Sequence, residues 1–105
     1  MHHVILCTCP SAEVAENIAR HLVDARLAAC VNILPGVRSV YLWQGAIEAA
    51  QEQLLLINSA QSQYTAIESV IKTLHPYQVP EIIALPIQQG SAEYLQWIDS
   101  CLVTG

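Results

Sequence analysis

The chain has 105 residues, a formal net charge of −5, 53% hydrophobic side chains and 12% charged ones, a length that allows one hydrophobic core and predicts a single domain over residues 1–105. Its positive side chains, Arg20, Arg26, Arg38 and Lys72, form no cluster, so the basic footprint of a nucleic-acid or anionic-lipid binder is missing. No apolar run approaches membrane-spanning length and Met1 to Leu6 lacks the positive flank of a secretory signal, which predicts a soluble, cytoplasmic protein.

His2 to Cys9 reads as a strand that Pro10-Ser11 ends. Ser11 is a helix N-cap with Glu13 in the first turn, and Ala15, Ile18, Ala19, Leu22 and Val23 recur at helical spacing to about Arg26. Cys30 to Leu34 is a second strand. Pro35-Gly36 interrupts it and it resumes from Val37 to Trp43, a pattern read as one long strand with a bulge. Gln44-Gly45-Ala46 signals a turn, and Glu48 to Ile57 returns as a second long arm. The hairpin is longer than so small a domain can bury, so part of it projects.

Ser59 to Ser62 is a polar break before a helix carrying Tyr64, Ile67, Val70, Ile71 and Leu74 on one side and the Glu68–Lys72 pair on the other. Pro76 ends that helix near His75, because proline lacks an amide donor and biases the preceding residue away from helix. Pro80 fixes the backbone just before the strand Glu81 to Ile87. His75, Tyr77 and Glu81 therefore sit on a stiff connector, either as a binding site or as polar groups that close the corner with hydrogen bonds. A last helix runs from Ala92 to about Leu102, burying some of Tyr94, Leu95, Ile98 and Cys101.

Two strand-helix-strand halves of similar spacing predict an α+β, ferredoxin-like fold: split βαβ units forming a four-stranded antiparallel sheet with helices on one face, plus the long hairpin and the C-terminal helix. The bare face should alternate polar and apolar residues in a monomer. It does not, since Val4 and Leu6, Leu54 and Leu56, and Ile82 and Ala84 are as apolar as their neighbours of opposite parity. Other copies of the chain are expected to cover it. Cys7, Cys9, Cys30 and Cys101 show neither Cys-x-x-Cys nor zinc-finger spacing and are expected as free thiols, mostly buried.

Five segments carry a family resemblance: Val4-Ile5-Leu6-Cys7-Thr8; Arg26-Leu27-Ala28-Ala29-Cys30-Val31-Asn32; Pro35 to Tyr41 with Trp43 and Gly45; His75-Pro76-Tyr77-Gln78-Val79-Pro80-Glu81; and Tyr94-Leu95-Gln96-Trp97-Ile98. On these the chain resembles the CutA family of divalent-cation tolerance proteins. The resemblance implies a ferredoxin-like homotrimer similar to PII signalling proteins, and a role in tolerance of divalent metal ions such as copper. It implies copper binding through Cys7 and His75, although Leu74 stands where relatives often place a second histidine.

A thiolate and an imidazole suit copper, the strongest binder of the common divalent ions at nitrogen and sulfur ligands. Cys9 shares the strand face of Cys7, as does His3. The expected metal set is Cys7 and Cys9 with His75 or His3, for copper or another divalent metal, and the competing reading is a pair of buried free thiols. No cofactor is required. A second expected site is a cleft between subunits lined by Tyr41, Trp43, Tyr77 and Glu81. Relatives keep charged residues near it where this chain has Gln44, Ala46 and Asn58, so an anion would lack its cations here.

His75 and Glu81 could act as acid and base, yet there is no nucleophile-base-orienter set and no phosphate-cradling glycine loop. A non-enzymatic protein is expected. Small-molecule signalling in the PII manner, or a scaffold trimer that offers its surface to a partner, are the alternatives.

Overall fold

Ser11 starts the first helix as its pattern predicts, its hydroxyl accepting the Val14 N–H at 3.2 Å. In the computed structural model, which describes residues 1–104, the chain runs β1 (His2–Cys9), α1 (Ala12–Asp24), β2 (Cys30–Trp43), β3 (Ala46–Ala60), a 3-10 turn (Gln61–Gln63), α2 (Tyr64–Leu74), β4 (Ile82–Pro86) and α3 (Ala92–Cys101). The strands form one sheet in the order β2-β3-β1-β4, every neighbouring pair antiparallel. Each connection through α1 or α2 thus skips over a strand.

Period-2 alternation sends Ile5, Cys7 and Cys9 of β1 and Leu55 and Ile57 of β3 to one face, where Ala15, Ile18 and Leu22 of α1 and Ile67 and Ile71 of α2 close over them. Each fully buried Ile or Leu there contributes roughly 1.5–3 kcal/mol of transfer free energy. The other sheet face has no such cover. Leu34, Ile83 and Leu85 remain 41%, 48% and 44% exposed. The helix α3 buries Ile98 and Leu102 beside Ala29 and Ala60, at one end of the sheet.

The β2–β3 register slips between Leu34 and Val37, so Pro35 and Gly36 form the expected bulge, Gly36 taking φ +75°. Gln44 and Gly45 close the hairpin, both with positive φ. Towards that tip the strands leave the core, and Leu42 and Ile47 are 72% and 79% exposed.

Boundaries differ from the sequence expectation in α1, at both ends of β3, which starts at Ala46 inside the expected turn, and in β4. Helix α1 stops at Asp24 because Arg26 turns into the left-handed region at φ 60°. Strand β3 continues through Ser59 and Ala60, where a polar break was expected, since both pair with His3 and His2 of β1 and the buried Ser59 hydroxyl donates to Leu27 O at 2.6 Å. Strand β4 is shorter than 81–87, spanning Ile82–Pro86.

Candidate site at the helix-to-strand corner

His75 follows the last residue of α2. Its own N–H bonds to Ile71 O at 2.8 Å, and its backbone turns extended ahead of Pro76. Strand β4 pairs with β1 only as far as Cys7↔Ile82, and beyond that end the buried imidazole places Nε2 2.7 Å from Thr8 O. The Tyr77 N–H donates to Nδ1 at 3.1 Å. Because Nδ1 accepts, Nε2 carries the proton and donates to Thr8. Both ring nitrogens are therefore engaged, and the Tyr77 ring leans on the imidazole at a centroid distance of 4.8 Å.

The imidazole lies beside two thiols. Cys7 and Cys9 are fully buried, and the donor atoms of Cys7, Cys9 and His75 all lie within 4.8 Å of one another. This is the one such group of three among the described residues. His3 shares the strand face but does not belong to it, because the strand rise carries it toward the far end of β1. All four cysteines are free, Cys30 and Cys101 half-buried. The Cys7 thiol donates to Thr8 O at 3.8 Å, and it is pushed up, first by the Cys9 thiol beside it and then by burial. Cys9 is pulled down by the neighbouring Cys7 thiol, against its own desolvation.

On the opposite face of β1 lies a cavity of about 770 Å³. Tyr41, Trp43, Tyr77 and Glu81, the four residues expected to line a cleft, all line it. Gln44, Ala46 and Asn58 do not. Asn58 instead points its Nδ2 at Cys30 O and Asn32 Oδ1, at 3.5 and 3.4 Å. The connector thus serves two places, His75 facing the thiols while Tyr77 and Glu81 face the cavity.

Sequence reasoning missed Glu48 and Glu52, which also line it. Glu52 is only 6% exposed and accepts the Tyr77 hydroxyl at 3.0 Å through Oε2. It sits opposite Val37, directly past the bulge, which is the signal that could have found it. Burial and the hydrogen bond to Glu52 push the Tyr77 phenol up to about 12.

The fold and these features define a small α+β protein: a four-stranded antiparallel sheet with a thiol–imidazole group on its helix-covered face and an aromatic, acidic cavity on the other. Residues 3–101 match the CutA1 divalent ion tolerance protein family, and the chain belongs to that family. The "Divalent-cation tolerance protein CutA" of Thermus thermophilus is 52% identical over 98 residues, 93% of this chain and 95% of the relative. A solved structure of the divalent cation tolerance protein from Thermus thermophilus superposes with a TM-score of 0.96 at 50% identity, covering 98% of this chain and 100% of that one. Human "Protein CutA" is 47% identical over 91 residues, 87% of this chain, which spans 51% of the human protein. The structure of the Archaeoglobus fulgidus protein, described as a periplasmic divalent cation tolerance protein, superposes with a TM-score of 0.94 at 42% identity over 96% of this chain and 98% of that one. The names of these relatives carry no enzymatic function. No helix of the described residues is long and apolar enough to cross a membrane.

Proposed function

We propose that this chain works as a cytoplasmic homotrimer of ferredoxin-like subunits that binds metal without catalysing a reaction, and that its part in divalent-cation tolerance includes copper. The observation that carries the metal reading is the convergence of Cys7, Cys9 and His75 donor atoms within 4.8 Å. Two thiols suit a soft metal. A tetrahedral ion with bonds of about 2.3 Å sets its donors about 3.7 Å apart, so the group has to contract slightly to close on one. His75 joins only by giving up its bond to Thr8 O or to the Tyr77 N–H. Binding is thus carried by the thiols, with the imidazole as a third donor that must first break a hydrogen bond, and it is weak. Anaerobic titration with copper tests this. One ion per chain is expected for the native protein, loss of uptake in Cys7→Ser, and weakened uptake in His75→Ala; equal uptake by native protein and Cys7→Ser removes the metal reading.

The second reading is small-molecule binding in a cleft, in the manner of PII signalling proteins. It is favoured by the enclosure of Tyr41, Trp43, Tyr77 and Glu81 around one cavity. In the proposed trimer this cavity opens between subunits. A thermal-shift screen with metals, nucleotides and small carboxylates separates these functions from a scaffold role, since a bound ligand raises the midpoint by mass action and a scaffold leaves the screen flat.

A further inference from the structure

We infer that the cavity on the helix-free face binds a small organic cation bearing N–H donors, a protonated amine or a guanidinium, an inference that rests on the cleft reading and names its ligand class. Tyr41, Trp43 and Tyr77 supply aromatic walls and Glu48, Glu52 and Glu81 supply carboxylates, while no Lys, Arg or His lines the space. None of the three carboxylates takes part in an ion pair among the described residues.

Glu52 carries the assignment. It is buried, at 6% exposure, and its single hydrogen bond is the Tyr77 hydroxyl on Oε2. Its Oε1 has no partner among the described residues, yet it is not sealed off, since the one sealed, unpartnered side-chain atom there is His3 Nδ1. A buried carboxylate without a counter-charge costs free energy that a cation donating to Oε1 would recover. The tyrosine and indole faces attract the same ligand through their ring quadrupoles. A bare metal ion is the poorer fit, because Glu48, Glu52 and Glu81 do not converge at the spacing that Cys7, Cys9 and His75 do. Phosphates and carboxylates meet three like charges and no cationic side chain to offset them.

A shape-matched trio tests the charge: phenethylammonium, 2-phenylethanol and phenylacetate, each titrated into the intact protein while the Trp43 indole N–H is followed by NMR. The expected result is an ammonium Kd at least tenfold below that of the alcohol, and no saturable shift with phenylacetate. In Glu81→Gln, an exposed position whose change leaves the core alone, the ammonium preference shrinks severalfold while alcohol binding is unchanged. Glu52→Gln, checked for native circular dichroism, removes most of the rest. Alcohol or phenylacetate binding as tight as the ammonium overturns the cationic assignment and leaves the cleft reading standing. Silence of Trp43 toward all three at millimolar concentration overturns both.

Discussion

His75 and Tyr77 are two residues apart and do different work. The imidazole ties the end of α2 to the end of β1 with both of its nitrogens. His75→Ala therefore leaves the Tyr77 N–H without its partner and the Thr8 carbonyl with only the weak Cys7 thiol donor at 3.8 Å, and is expected to lower the unfolding free energy by roughly 2–4 kcal/mol in a urea titration. Tyr77 acts through its proton. Its phenol is held up at about 12 against an ordinary 10.0, so the unfolded chain loses that proton first as pH rises. Its contribution is complete below pH 10 and is lost as pH climbs through about 12. Tyr77→Phe should make that alkaline decline shallower in midpoint measurements; Tyr64 and Tyr94, also raised, keep part of it. The resemblance brought together the cavity residues Tyr41, Trp43, Tyr77 and Glu81, and for the thiol group the residues themselves were legible where local period decides. Cys7 and Cys9 share a face because strands alternate. That His75 rather than His3 joins them depends on β4 stopping short of Thr8, a tertiary fact. Glu52 was invisible because its burial comes from the bulge opposite it and from Tyr77, 25 residues away in sequence.

The elements were more legible than the site, since proline, glycine and capping signals act locally. Pro76 ended α2 where the pattern placed it, and Pro35-Gly36 bent β2 without ending it. The errors lie where pairing overrides composition: Ser59 reads as loop but is held in β3 by its β1 partner. The hairpin tip offers a direct check. Gln44 and Gly45 have φ of 50° and 82° between the paired Trp43 and Ala46, the signs of a type I′ turn, in which Asn is preferred to Gln at the first central position. Gln44→Asn is expected to stabilise the protein by about 0.5 kcal/mol, read as a higher denaturation midpoint at unchanged slope. Gly36→Ala should cost about 1 kcal/mol or more at φ 75°, although a Cβ there meets nothing within 4 Å. The penalty is one of backbone conformation and not of space.

The whole molecule carries more surface than a chain of its mass should. An 11.5 kDa chain folded alone is expected to expose about 5,800 Å², and this one exposes 6511 Å². The surplus of about 700 Å² is close to one side of a standard interface, about 800 Å². Apolar side chains are exposed both on the projecting hairpin and, as Leu34, Ile83 and Leu85, on the sheet face that α1 and α2 do not cover. If sister copies cover that face in the proposed homotrimer, the expected sedimenting species has three times the chain mass, with a thermal midpoint that rises with protein concentration. Ile83→Glu puts a charge into the covered face and should shift the species to a single chain. Val23→Glu, on an equally exposed apolar position of α1, should leave the mass unchanged, which separates loss of an interface from a general effect of surface charge. A native protein that sediments as one folded chain at micromolar concentration would remove the assembly. The cavity lined by Tyr41, Trp43, Tyr77 and Glu81 would then have to bind its cation from within one chain, where all of its present walls already stand.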